Sequence, residues 1–155
     1  MRALGIDYGE RRVGLALSDP TGTVATPLPP LLRRRGKRPP VQAIVDVINA
    51  NDVTRVVVGL PLSLEGEDTD WTREVRAFAS RVAARSGRDV FLIDERLSSV
   101  MATHAVRSIG LSRQEREKKE RVDTAAAVLL LQLFLDRERS GVPLERAAPE
   151  SNGDA

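Results

Sequence analysis

The sequence predicts an α/β fold: a mixed sheet built from a three-stranded antiparallel meander followed by parallel strands, with helices on both faces. Three observations predict it. Two apolar stretches near the start are separated by a short polar turn. Two later runs of β-branched and aromatic residues are apolar on both faces. Segments with a helical apolar period fall between and after those runs. The 155 residues suit one domain, expected over 1–140.

The apolar stretches at 2–6 and 13–18 flank Asp7-Tyr8-Gly9-Glu10-Arg11-Arg12, which reads as the turn of a β-hairpin. Asp19-Pro20-Thr21-Gly22 is a second turn signal, so a third strand is expected near 23–27. Residues 29–40, with Arg33, Arg34, Arg35, Lys37 and Arg38, are expected as an exposed loop. From Val41 the period becomes helical, with Ile44, Val45 and Ile48 on one side, until Asn49-Ala50-Asn51-Asp52 ends the helix. Residues 55–59 suit a strand covered on both faces, followed by a loop at 60–67. A helix over about 69–86 carries Trp71, Val75, Phe78, Ala79 and Val82 as its buried stripe, and Gly87 stops it. Residues 90–93 form another covered strand that ends in Asp94-Glu95-Arg96. Ser98 or Ser99 then caps a helix expected to run to about residue 109. The stretch 110–121, with five basic and three acidic residues, reads as a hydrophilic connection whose 113–121 part is either a flap or an ordinary loop. The Ala- and Leu-rich stretch 122–139 reads as a largely buried helix, and 141–155 as a disordered tail.

Composition removes several chemistries. There is no Cys, so disulfides, thiolate zinc sites and cysteine nucleophiles are excluded. The single His104 cannot form a histidine metal cluster, and no Gly-x-Ser-x-Gly elbow accompanies it. Any metal must be held by carboxylates, which favours hard cations such as Mg²⁺ or Mn²⁺. No signal-peptide pattern or apolar run of about 18 residues is present, so a cytoplasmic protein without a membrane segment is expected. Lys and Arg number 24 against 22 Asp and Glu, yet residues 1–38 hold eight basic and three acidic side chains. Arg supplies 21 of the 24 basic residues, and Arg is the better bidentate ligand for phosphate. Aromatic content of 3% disfavours a single-strand binder that stacks bases.

The acids are placed where an α/β sheet assembles its sites, at the carboxyl ends of parallel strands. Asp7 follows the first strand, Glu95 follows the last, and Asp123 lies in the first turn of the final helix. Two divalent ions about 3.5–4 Å apart can activate water and stabilise the leaving oxygen in phosphodiester hydrolysis. Clustered carboxylates repel one another, and a cation offsets that repulsion. Each acid also has a plainer reading. Asp7 suits a turn, Glu95 suits a surface pair with Arg96 and has Asp94 as a rival ligand, and Asp123 suits a helix start.

Gly5-Ile6-Asp7-Tyr8-Gly9-Glu10-Arg11-Arg12-Val13-Gly14, then Gly59-Leu60-Pro61-Leu62, then Asp94-Glu95-Arg96-Leu97-Ser98-Ser99, and finally Val122-Asp123 with Ala125-Ala126 resemble the YqgF/RuvX family. That family is described as Holliday junction resolvases and as nucleases for the 5′ end of pre-16S rRNA. The resemblance implies a ribonuclease H-like fold and a metal-dependent endonuclease using Mg²⁺ or Mn²⁺. It carries the catalytic and metal-binding roles onto Asp7, Glu95 and Asp123, and suggests functions for Arg12 and Arg96. The nucleic-acid-binding candidates are Arg11, Arg12, Arg33, Arg34, Arg35, Lys37, Arg38, Arg96, Lys118, Lys119 and Arg121. The implied substrates are precursor rRNA or branched DNA, met by a monomer or a homodimer. Ser63 departs from the Asn expected in many relatives. Two other functions remain open to the sequence: a nucleotide-binding phosphotransferase-like domain, and a non-catalytic binder of nucleic acid in ribosome assembly.

Overall fold

The computed structural model of the chain describes residues 1–33, 38–96 and 113–150, with 113–123 described in backbone only. Its elements are β1 (Arg2–Tyr8), β2 (Arg12–Ser18), β3 (Ala25–Leu32), α1 (Val41–Ala50), β4 (Val53–Leu60), α2 (Asp70–Ser86), β5 (Asp89–Asp94), α3 (Arg113–Arg139) and β6 (Glu145–Arg146). The strands form one sheet in the order β3-β2-β1-β4-β5-β6. β1 pairs antiparallel with β2 through a turn in which the Gly9 N–H donates to the Arg12 carbonyl at 3.0 Å. β1, β4 and β5 run parallel, joined by the α1 and α2 crossovers.

Strand alternation sorts the core into two halves. Leu4, Ile6, Val56, Val58 and Leu92 face α1 and α2, where they meet Ile44, Ile48, Val75, Phe78 and Val82. Ala3, Ala16, Val57 and Ile93 face α3, where they meet Ala127, Leu130, Leu131 and Phe134. α2 is closed at its start by a capping box between Thr69 and Thr72, and at its end by Gly87 at φ 67°.

Several expectations need correction. β3 continues to Leu32, so residues 29–32 are strand and not loop. Its prolines at 27, 29 and 30 are tolerated because β3 is an edge strand and its ladder with β2 shifts register at 29–30, between the Leu28 and Leu31 pairings. α3 begins at Arg113 and not at Val122. Residues 113–121 are therefore helical and neither flap nor loop; their sequence is rich in helix formers without an apolar stripe, and polarity alone was a poor guide. The expected tail contains β6, whose Glu145 and Arg146 pair with Leu92 and Phe91, and the Ala147 N–H donates to the Val90 carbonyl at 2.8 Å. The expected helix at 98–109, His104 and residues 151–155 lie outside the described residues.

An added Cβ at Gly5 would sit 2.8 Å from Leu131 Cβ and 3.0 Å from the Ala127 carbonyl oxygen. Gly5→Ala must therefore push α3 off the sheet, and urea unfolding should show a loss of about 1–3 kcal/mol. At the β2–β3 turn, the Thr21 hydroxyl and the Val24 and Thr23 N–H groups hold the Asp19 carboxyl well below the usual range. A lowered native value means the turn is stabilised above the unfolded value near ~3.9, and that this is lost as pH falls through the native value. Asp19→Asn should flatten the stability profile below about pH 4, read by thermal melts.

Candidate active site

The site is built at the carboxyl ends of β1, β4 and β5. Ile6 pairs with Val58, so Asp7 lies beside Gly59, and Gly59 pairs with Ile93 in turn. Alternation turns Ala3, Gly5 and Asp7 toward α3, as it does Val57 and Gly59 on β4 and Ile93 on β5, with Glu95 next in that sequence. Asp7 is 3% and Glu95 5% exposed. A Cβ on Gly59 would lie 2.6 Å from Glu95 Oε2, so the Glu95 carboxylate rests over the bare backbone of β4. Leu130 of α3 covers the same spot at 3.3 Å.

α3 approaches this edge in a defined direction. Glu138, near its C-terminus, pairs with Arg55 at the start of β4 at 2.6 Å, whereas Leu130 lies over Gly59 near the end of β4. The helix therefore runs antiparallel to β4. Asp123 lies one turn before Ala127 on this helix, in the direction of the strand ends; its side chain lies outside the described residues. Among the described residues, no three carboxylate or imidazole groups gather as a metal site. Asp7 and Glu95 provide two carboxylates on one face.

Asp94 does not join them. It faces the other side of the sheet, where Arg96 donates to it from Nε at 3.0 Å and Nη2 at 2.7 Å. This hydrogen bonding holds the Asp94 carboxyl below its usual range. Arg96 also donates from Nη1 to the Leu64 carbonyl at 3.1 Å.

Three of the candidate basic residues stand at the same end of the sheet. Arg11 is exposed in the β1–β2 turn, and Arg12 begins β2 on the face of Asp7. The Arg33 guanidinium lies 4.9 Å over the ring of Tyr8, and the Arg33 main-chain N–H donates to the Arg11 carbonyl at 2.7 Å. Tyr8 in turn stacks on Phe78 at 4.1 Å and on Trp71 at 5.4 Å, and burial raises the pKa of its hydroxyl. Trp71 is thus a half-buried core contact, as its helical spacing implies. Arg38 is exposed. Arg34, Arg35 and Lys37 lie outside the described residues, as do the side chains of Lys118, Lys119 and Arg121 on α3. Ser63 uses its hydroxyl locally, accepting the Glu67 N–H at 3.0 Å.

Sequence reasoning missed Gly59. Its signal was present, because a run of three valines on a covered strand breaks to glycine where another bulky residue would pack. Among the described residues, no helix is long and apolar enough to cross a membrane.

The fold is similar to that of RuvC from T. thermophilus in complex with a Holliday junction substrate, with a TM-score of 0.55 and 18% identity over 94% of this chain and 99% of that one. A second Thermus thermophilus RuvC structure matches with a TM-score of 0.54 and 14% identity over the same shares. At the level of sequence, a protein of Maridesulfovibrio salexigens, provisionally named a pre-16S rRNA nuclease, is 39% identical over 137 residues, covering 88% of this chain and 99% of that protein. A protein of Koribacter versatilis with the same provisional name is 43% identical over 136 residues, covering 88% and 87%. The RuvX family model, described as Holliday junction resolvase, matches residues 1–137, and with that match the chain belongs to the RuvX family.

Proposed function

We propose that this nuclease is a metal-dependent endonuclease in which Asp7, Glu95 and Asp123 hold Mg²⁺ or Mn²⁺ against a phosphodiester of structured nucleic acid. The observation that carries the reading is the pair of buried carboxylates, Asp7 and Glu95, on one face at the ends of β1 and β5, which flank β4. Their oxygens suit a hard divalent cation, and Gly59 leaves the room in which Glu95 lies. When bound, such ions favour deprotonation of the attacking water and offset the charge that develops on the phosphate.

The chain's own residues do the positioning. Asp7 is fixed by the β1 ladder, and Glu95 is confined between Gly59 and Leu130. Arg11 and Arg12 border the site, where they contact the phosphate backbone as counterion-releasing cations. Arg33 rests on Tyr8 and begins the basic stretch 33–38 of the sequence, whose Arg34, Arg35, Lys37 and Arg38 are further candidates for phosphate contact. Lys118, Lys119 and Arg121 add basic charge on the turns of α3 preceding and including the register of Asp123. Precursor rRNA is the substrate the relatives' names favour, and the family's description makes four-way DNA junctions the comparison. Residues 1–140 act as one domain, in the cytoplasm.

A cleavage panel over precursor 16S rRNA, four-way junctions, duplexes and single strands tests this. Cleavage should need Mg²⁺ or Mn²⁺ and stop on chelation. Asp7→Asn and Glu95→Gln should each lower it by more than about a hundredfold, beyond the range typical of outer-shell partners. Metal-dependent cleavage at the parent rate in Asp7→Asn removes the assignment. Gly59→Ala should keep the fold, because extended backbone accepts alanine, yet displace the Glu95 carboxylate and lower kcat by about 10–100-fold; a parent-like kcat would mean that Glu95 does not act from its place over Gly59.

A further inference from the structure

Arg96 follows Glu95 directly, and its place in the sequence suggests a grip on phosphate. Its contacts are all with this chain. The Asp94 carboxylate accepts from Arg96 Nε, from Nη2 and from the Arg96 main-chain N–H, the last at 3.0 Å. The remaining arm, Nη1, donates to the Leu64 carbonyl in the loop between β4 and α2. That loop lies down on the guanidinium at Gly66, where a Cβ would meet Nη1 at 3.0 Å, Nη2 at 3.2 Å and Cζ at 3.3 Å. Gly66 also has φ +86°, a conformation that side chains of L-residues rarely adopt. Ser63 closes the same loop on itself: its N–H donates to the Glu67 carbonyl at 2.9 Å, and its carbonyl accepts the Gly66 N–H at 2.9 Å.

We propose that Arg96 is a positioning residue and not a phosphate ligand: clamped between Asp94 and the Leu64 carbonyl, it fixes the chain just past β5 so that Glu95 turns over Gly59 toward the metal site. The geometry behind this is the alternation of β5. Tying down Asp94 and Arg96 on either side of Glu95 leaves the intervening side chain directed at α3. The clamp also holds the 61–69 loop against the end of the sheet. The inference rests on Glu95 being a metal ligand.

Asp94→Asn separates the two roles, since it leaves the Arg96 cation in place and loosens its tether. The clamp predicts that Asp94→Asn and Arg96→Ala each lower kcat for cleavage by about 10–100-fold while KM stays within twofold. Both should raise, by a similar factor, the Mn²⁺ concentration that gives half-maximal protection against thermal unfolding. The double variant should be no worse than either single one, because both act on one interaction. Gly66→Ala, which alters no charge, should reproduce the kcat loss. A phosphate-gripping Arg96 gives a different pattern: Arg96→Ala raises KM and reduces the salt slope of nucleic-acid binding by about one, while Asp94→Asn keeps parent kcat and Mn²⁺ response. That pattern overturns the proposal. If a variant is poorly folded by circular dichroism, Arg96→Lys supplies the comparison, with an intermediate kcat loss at unchanged KM expected and a parent kcat against the clamp. Glu95→Gln, run in parallel, separates the two readings. Full activity there removes the role of Glu95 itself, whereas lost activity there with an active Asp94→Asn removes only the clamp.

Discussion

The close approach of α3 to the sheet is the constraint on which the site depends. At Gly5 there is no room for even a methyl group between β1 and the Ala127–Leu131 turn, and at Gly59 the space that remains is taken by Glu95 and Leu130. A helix lying that close and running antiparallel to β4 carries its earlier turns toward the carboxyl ends of β1 and β4. The Arg55–Glu138 pair, two hydrogen bonds at 2.6 Å each, ties the other end of α3 to the start of β4. Tight packing at one place and a charged fork at the other leave the helix little freedom to shift along the strands. The separation between β1 and the register of Asp123 therefore follows from missing side chains more than from any contact within the site.

The two faces of the sheet divide the work. The face under α1 and α2 carries large apolar groups on strands and helices alike, including Leu4, Ile6, Ile44, Ile48, Phe78 and Val82, each worth about 1.5–3 kcal/mol when buried. On the α3 face the strands set the small Ala3, Gly5, Ala16 and Gly59 beside Val57 and Ile93, and there the sheet carries buried Asp7 and Glu95. Taking carboxylates out of water costs free energy even when they are partnered, and the apolar burial on the opposite face helps to offset that cost. Tyr8 sits at the junction of the two functions, with its ring in the apolar stack on Phe78 and its neighbour Asp7 turned to the other side.

Where residues bury one face or both, the sequence was legible. The alternation and β-branched runs of β1, β2, β4 and β5, and the apolar stripes of α1 and α2, are the direct imprint of burial, and those elements lie within a few residues of their expected places. Legibility failed where structure is made without burial. The first turns of α3 carry no apolar stripe, β3 runs through three prolines that a central strand would not accept, and β6 is two charged residues paired through backbone alone. The place of Asp7 at a strand end was legible, whereas Glu95 was set ahead of Asp94 by motif position alone, and the space over Gly59 was not legible, because an absent side chain has meaning only once its neighbours are known.

Charge follows the same rule. Beyond the first 38 residues, Arg55, Arg73, Arg76, Arg96 and Arg139 each meet an acid of this chain, so their guanidinium groups are structural ties. Near the start the contacts are of a different kind: Arg11 is exposed, and Arg33 rests on an aromatic ring. The sequence Asp94-Glu95-Arg96 compresses both uses into three residues. Strand geometry sends neighbouring acids to opposite faces, so Asp94 meets Arg96 while Glu95 enters the space above Gly59. Composition alone sees two acids and a base nearly cancelling. The pleat decides which acid meets Arg96 and which turns to the face of Asp7.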